Sequence, residues 1–171
     1  PALFNPGTIL FFSRRIGLSK DGDEKIPIIG GLRATGKIGS TDVGFLSVLT
    51  DHKDFVNSES EQVHVPQEHS SLIRLKQPLF RTSSVGMIAM NRQSDAETYN
   101  RLIGGDWNVQ LSKQTRLGGF IAKSLSPNIS GHDLAENFDL VHESDLFGFI
   151  AQFMTIDDNF EDELGYVPRD G

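Results

Sequence analysis

The sequence predicts an all-β protein, an antiparallel up-and-down meander of about nine strands. Apolar and polar residues alternate in runs that are typical of strands. These runs recur at roughly even spacing with Gly, Ser, Asn and Asp between them, and helical periodicity is hard to find anywhere. The chain has 171 residues, of which 37% are hydrophobic. This is enough for one domain with a sizeable core, which we expect to cover residues 1–171.

Four candidate strands occupy the first half of the chain. Ile9–Ile16 contains an aromatic run followed by two arginines, and Ile28–Ile38 alternates small or apolar residues with polar ones. Val43–Thr50 is apolar or small on both faces, whereas Ser71–Lys76 alternates again. Because successive side chains of a strand point to opposite faces, the alternating runs predict one dry and one polar face.

Five more candidate strands follow: Ser84–Asn91, Arg101–Leu111, Arg116–Ser124, Asn137–Glu143 and Leu146–Ile156. The stretch GGDWNVQL, residues 104–111, shows the alternation best, with a small or apolar residue at each odd position from 105 onward. Glycine pairs in these strands predict bends or a close approach of neighbouring groups, because no helix N-terminus follows them to form a phosphate loop.

The connections between the candidate strands alternate between short and long. That asymmetry is typical of an outer-membrane barrel, which has tight turns at one rim and long loops at the other. Strands of about ten to twelve residues would also span the apolar band of such a barrel. The short links are 39–42, 77–83, 112–115 and 143–145, and the long links are 17–27, 51–70, 92–100 and 125–136.

The polar faces of the alternating strands carry full charges, and in a barrel they would line the lumen. We therefore predict a lumen that sets selectivity or holds a plug, or a salt-bridge lattice that only stiffens the wall. The candidate lumen-lining residues are Arg33, Thr35, Lys37, Arg74, Lys76, Asp106, Asn108 and Gln110.

The returning strands leave a second fold class open. Residues 43–49, 85–90 and 147–154 are apolar or small on both faces. This pattern fits a barrel with a partly dry, plugged interior, and it equally fits the core of a soluble β-sandwich or calyx-like binding domain.

Five stretches together resemble one protein family. They are FFSRRIGL (residues 11–18), PIIGGLRATGKIG (27–39), SSVGMIAMNR (83–92), GGDWNVQL with GGFIAKS (104–111 and 118–124) and DDNFEDELGYVPR (157–169). The chain resembles the uncharacterised outer-membrane β-barrel domains that follow a family 9-like carbohydrate-binding module in large secreted bacterial proteins. The likeness runs through nearly the whole chain in the expected order.

The resemblance implies that the chain is the first half of a longer barrel in the bacterial outer membrane, a piece of a longer protein with outer-membrane lipid as its partner. It also implies a link to polysaccharide through the upstream module. It further suggests a corner near the end of the chain where Phe160 and Tyr166 pack and the acids are exposed at the rim. It carries no catalytic residues onto this sequence.

Composition excludes several function classes. The net charge is −7 and no Lys/Arg cluster is larger than Arg14-Arg15, so we expect no nucleic-acid partner. With no cysteine, thiolate metal sites, disulfides and cysteine nucleophiles are excluded. No apolar run is long enough for a transmembrane helix.

We expect no cofactor, metal or catalytic residue. The histidines and acids of the link 51–70, which are Asp51, His52, Asp54, His64, Glu68 and His69, lack the spacing of a zinc motif and predict a solvated loop. Counted as an EF-hand loop that begins at Asp157, the sequence has Asp162 at the sixth position, where calcium loops have glycine, and Pro168 at the twelfth, where they have glutamate. Asp106 and Asp139 on one interior face would be the acid pair of a glycan hydrolase, the function least supported by the sequence.

Overall fold

The computed structural model describes residues 11, 15–19, 24–57, 60–95, 97–127, 129 and 131–165. Within these residues the chain forms ten strands. They are β1 (Ile28–Ile38), β2 (Thr41–Thr50), β3 (Lys53–Val56), β4 (Gln62–Val65), β5 (Glu68–Leu79), β6 (Ser83–Gln93), β7 (Tyr99–Gln110), β8 (Thr115–Leu125), β9 (Leu134–Glu143) and β10 (Gly148–Ile156).

Eight of the strands form one antiparallel sheet in the order β1-β2-β5-β6-β7-β8-β9-β10. The predicted all-β meander is therefore confirmed, and each of these strands overlaps a predicted one. Within the described part of the chain, β1 pairs only with β2 and β10 only with β9, so the sheet is open at both edges.

Two strand predictions need comment. The predicted strand Ile9–Ile16 falls largely outside the described residues, and Arg15 and Ile16 lie in a turn. The link 51–70 was predicted to be an irregular loop, but it contains the hairpin β3–β4, which forms a separate two-stranded sheet. Each of its strands has only four residues, too few for alternation to stand out.

The short and long links fall at opposite ends of the sheet. The turn end holds residues 39–40, 80–82, 111–114 and 144–147, which join consecutive antiparallel strands. The loop end holds the β3–β4 hairpin, the β6–β7 and β8–β9 links, and the segment 157–165 after β10. In the part of the chain that the structure describes, no helix is both long and apolar enough to cross a membrane.

One face of the sheet, called the core face here, carries the buried core near the loop end. Residues paired across antiparallel strands share a face. The core joins Leu72, Ile88, Met90, Leu102, Phe120, Ala122 and Ala135 to Phe160 and Leu164 of the segment 157–165. Phe11 and Ile16 also pack against it. Segments from outside the strands therefore cover the loop half of this face.

The opposite face, called the open face, is apolar and exposed to solvent. Met87 at its centre is 57% exposed, between Leu75 of β5 and Gly105 of β7. The large apolar side chains exposed on this face are Leu32, Ile38, Ile73, Leu75, Val85, Met87, Ile103, Ile121, Leu125, Phe138, Phe149 and Phe153.

The two faces explain why the returning strands are apolar on both sides. On β6, Ile88 and Met90 enter the core, while Val85 and Met87 belong to the open face. On β2, Val48 is buried, while Leu49 pairs with Gly30 and His69 on the open face. The returning strands thus supply an apolar residue to each face.

Candidate functional site

All eight candidate lumen-lining residues lie on the core face. Five of them lie nearer the turn end than the buried core, whereas Thr35 and Arg74 are level with Ile88, and Arg33 is level with Leu72. The register shows the shared face directly for one row of paired positions: Lys37 is opposite Asp42, Asp42 opposite Lys76, Lys76 opposite Gly86, and Gly86 opposite Asp106. Side chains two residues apart on a strand point to the same face. The remaining candidates therefore lie on this face too: Arg33, Thr35, Arg74, Asn108 and Gln110.

An ion pair between Arg74 of β5 and Asp106 of β7 crosses over the intervening strand β6. The strand leaves room for it because Gly86 lies beneath the pair. A Cβ atom at Gly86 would lie 2.6 Å from Nη2 of Arg74 and 2.7 Å from Oδ2 of Asp106. The glycine therefore marks a close approach rather than a bend.

A second ion pair repeats this arrangement on β8 and β9. Nη2 of Arg116 is 3.0 Å from Oδ2 of Asp139, and the pair lies over Gly118. A Cβ atom at Gly118 would lie 2.7 Å from Oδ1 of Asp139 and 2.9 Å from Nη1 of Arg116. Together with Lys37 and Asp42, whose Nζ and Oδ1 are 2.9 Å apart, these pairs form a lattice across the sheet.

Sequence reasoning missed three members of this lattice: Asp42, Arg116 and the role of Asp139 as a partner. One signal could have found Arg116, because Arg116 and Gly118 are two residues apart and so share a face. Gln110 makes a different contact: its Nε2 donates hydrogen bonds to the carbonyls of Ser112 and Thr115 in the β7–β8 turn.

Positive charge remains unpaired on the β1–β5 side of the lattice. Arg33 and Lys76 have no ion pair within the described residues, and both side chains are exposed. The lattice is thus mixed in sign, with a cationic excess at one edge.

Asp106 and Asp139, the predicted acid pair, lie on the same face of the sheet. Their strands are separated by β8, which places the two backbones about 10 Å apart across the sheet. Each carboxylate is in contact with an arginine. A glycosidase needs two carboxyl groups facing one bond, with one of them free to donate a proton.

The predicted polar link brings no metal site together. Among the described residues, no group of three or more His, Cys, Asp or Glu side chains could hold a metal ion. Instead these side chains pair locally: His52 with Asp51, His64 with Asp54, His69 with Ser47, and Glu68 with Arg92.

The acidic segment 157–165 covers the core rather than forming an exposed rim. Phe160 is only 2% exposed, as predicted for a packed corner, whereas Tyr166 lies outside the described residues. The expectation of exposed acids holds for Asp158, which is exposed, whereas the carboxylate of Asp157 accepts a hydrogen bond from the Leu134 amide at 3.1 Å. Glu163 approaches the buried Arg92 at 3.7 Å.

A small pocket of about 150 Å³ lies beside this segment at the loop end. Arg92 in its wall is held by Glu68, with Nη2 and Oε2 2.7 Å apart. Glu161 in the same wall accepts a hydrogen bond from the Ser126 hydroxyl at 3.2 Å. Two acids of the pocket wall, Glu68 and Glu161, are thus already bonded to neighbouring side chains.

Asp162, in the same segment, has a carboxyl group whose pKa is raised well above its usual value. Burial raises the pKa of its carboxyl from 3.8 to about 7, although the Leu164 and Gly165 amides and Arg15 act in the opposite direction. Its Oδ2 has no hydrogen-bond partner among the described residues. The folded chain therefore favours the protonated carboxyl.

We expect the stability that Asp162 contributes to be fully present below about pH 4 and to be lost as the pH rises through about 7. Asp162→Asn keeps an acceptor for the Leu164 amide and removes the titration. Urea unfolding from pH 4 to pH 8 should show a smaller loss of stability for this variant than for the wild type. Asp158→Asn, in the same segment but exposed, is the control and should follow the wild type. Parallel curves for Asp162→Asn and wild type would contradict the prediction.

Comparison with protein-family models, curated proteins and solved structures finds no match to this chain. Its function must therefore be argued from the two faces of the sheet.

Proposed function

We propose that this chain is part of an outer-membrane β-barrel whose open face contacts lipid and whose core face lines the interior. The open face carries the proposal. The exposed apolar side chains of this face extend from β1 to β10. A lipid-facing barrel wall requires such a continuous apolar surface. The only other sheet among the described residues is β3–β4, whose four-residue strands are too short to cover it as the second layer of a sandwich.

The height of the apolar belt supports this proposal. On β7 the open face is apolar or small from Ile103 to Val109, and Leu111 follows in the turn. The eight steps from Ile103 to Leu111 rise about 26 Å along a strand, or about 20 Å across a membrane when the strand is tilted. This is close to the roughly 25 Å band of membrane barrels.

The slant of the belt gives further support. One line of paired residues runs from Gly36 on β1 through Leu75, Met87 and Ile121 to Thr155 on β10. Gly36 is two residues from its turn, whereas Thr155 is seven residues from the start of β10. The turn end therefore steps about 17 Å over seven strand spacings, which together measure about 34 Å, so the slant is about 27°. Strands in membrane barrels tilt by about 35–45°.

The core face supports an anchor with a filled interior along these strands. The segment 157–165 and the core close its loop half, and the ion-pair lattice stiffens its turn half. If the completed barrel leaves a passage, the mixed charges of the lattice would line it and select among solutes.

The family resemblance of the sequence supplies the biological part of the proposal. A bacterial outer-membrane location, lipid as partner and an upstream module that binds polysaccharide would make this chain the membrane anchor or conduit of a carbohydrate-binding surface protein. No arrangement of described residues favours hydrolysis by this segment.

The test is the gel mobility of the full-length protein, extracted in mild detergent and compared before and after boiling. We expect a heat-dependent shift in the outer-membrane fraction, because a closed barrel resists detergent unfolding until it is heated. A soluble protein without a shift would show instead that the open face packs against another part of the protein, as in a sandwich.

Asp106→Asn combined with Asp139→Asn tests the enzymatic alternative in the same preparation. We expect any glycan turnover by the full-length protein to survive both changes, because the two acids are separated and paired with arginines. Loss of turnover with an unchanged heat shift would contradict this expectation.

A further inference from the structure

The turn end of the sheet exposes apolar side chains at the tips of its turns. Phe80 in the β5–β6 turn is 97% exposed and Leu146 in the β9–β10 turn is 93% exposed. Leu111 of the β7–β8 turn and Ile38 at the end of β1 are also exposed. We call these four residues the turn-tip cluster.

Phe80 is kept at its tip at a conformational cost. Its φ of 54° lies in the left-handed region, which glycine and asparagine adopt more readily than a bulky aromatic residue. No packing inside the protein explains the choice, since the ring is almost fully exposed. A strained, exposed aromatic residue indicates a contact outside the chain.

The apolar belt reaches into two of the turns, on β1 and β7. Near the loop end the open face carries Asn91, Arg101, Lys123, Glu136 and Thr155, and one exposed apolar residue, Leu125, follows at the end of β8. At the turn end Ile38 and Leu111 continue the belt into the turns on β1 and β7, whereas the open face of β2, β5, β8 and β9 ends in the polar side chains of Thr41, Gln77, Thr115 and His142. If the belt fills the hydrocarbon of a membrane, the tips lie at the boundary between the acyl chains and the lipid headgroups.

The charge beside the tips is positive. Arg81 follows Phe80 and Lys113 lies two residues after Leu111; both side chains are exposed and have no ion pair within the described residues. The β9–β10 turn carries Asp145 instead, so the positive charge belongs to the two central turns. The loop end is acidic, with Asp51, Asp54, Glu61, Asp95, Glu97, Asp157 and Asp158 in or beside its loops.

We propose that the turn end binds anionic phospholipid headgroups, with the turn-tip cluster inserted among the acyl chains and Arg81 and Lys113 against the phosphates. The inference rests on the proposed function and adds to it a lipid class and a side of the membrane. An apolar residue next to a cation matches the boundary between acyl chains and phosphates. The acidic loops would then face away from this leaflet.

The test measures insertion of the full-length protein from urea into vesicles of phosphatidylcholine alone or mixed with phosphatidylglycerol. The wild type should prefer the mixed vesicles, and added salt should weaken the preference. The double variant Arg81→Gln/Lys113→Gln should lose about thirtyfold of this preference, since each cation near an anionic surface is worth about fivefold. The double variant Lys25→Gln/Arg101→Gln removes the same charge from the loop end and should keep the preference.

Phe80→Asn separates lipid contact from folding. Asparagine tolerates the positive φ, so the variant should be as stable as the wild type in detergent but should insert less well into both kinds of vesicle. Two results would overturn the inference: an unchanged lipid preference in Arg81→Gln/Lys113→Gln, or an equal loss in the loop-end control. A wild type that inserts into neither vesicle and shows no heat shift would refute the proposed function itself, and the inference with it.

Discussion

Gly119→Ala is expected to cost more than about 3 kcal/mol of the free energy of unfolding, or to prevent folding altogether. A Cβ atom at this position would lie 2.3 Å from the carbonyl oxygen of Asn137 and 2.6 Å from Cζ2 of Trp107. The first atom belongs to the backbone of β9, and the Trp107 ring is held against Phe138 with centroids 5.2 Å apart. The carbonyl oxygen cannot move without separating β8 from β9, and the indole ring would have to leave its contact with Phe138. Urea unfolding of the full-length protein would measure the loss.

Gly36→Ala is the matched control for this substitution. Gly36 lies within β1, and a Cβ atom there would meet nothing within 4 Å. Alanine restricts the unfolded chain more than glycine does, so this variant should be as stable as the wild type or slightly more stable. Equal losses at both positions would show that the sheet tolerates no added methyl group, and no loss at Gly119 would contradict the packing described here.

The sequence was sufficient to predict which residues share a face of the sheet. Alternation with a period of two is a local property, so the grouping of Arg33 with Thr35 and Lys37, or of Asp106 with Asn108 and Gln110, needed no knowledge of the fold. Placing the polar sides of different strands on one face of the sheet used only the expectation that polar sides face the same way. The same argument failed for the β3–β4 hairpin, because four residues show too little of the period.

The contacts within the site could not be predicted in this way. Arg74 and Asp106 meet across β6, and this depends on the register of three strands, which is not local information. The glycines gave an incomplete signal. Close approach was one of two predicted roles for strand glycines, but only the structure shows that Gly86 and Gly118 make room for ion pairs and Gly119 for an indole ring.

The apolar pattern of the returning strands was ambiguous for a physical reason. A strand buried by a core on one side and covered by lipid on the other has the same composition as a strand between two protein layers. Sequence alone cannot separate lipid from protein as the neighbour of Val85 or Met87. Both side chains are exposed in the described structure. A substitution at such a position can therefore show whether lipid or water covers them.

Met87→Arg is expected to destabilise the full-length protein in vesicles by about 2–4 kcal/mol, because a charge at the centre of a lipid-facing strand must leave water. Met87 is 57% exposed and lies in the middle of the belt, so the substitution breaks no core packing. If water covered the open face, the same change would shift stability by less than about 0.5 kcal/mol and improve solubility. Urea titration of the vesicle-bound protein distinguishes these values.

Gln93→Arg is the matched control, because Gln93 shares both strand and face with Met87 but lies six residues away at the loop end. A cation near the membrane interface costs only about 0–1 kcal/mol. A large loss for Met87→Arg with little loss for Gln93→Arg would show that the cost depends on depth, as only a lipid boundary requires. Small shifts for both would place the open face in water or against another polar surface, and the barrel proposal would fall.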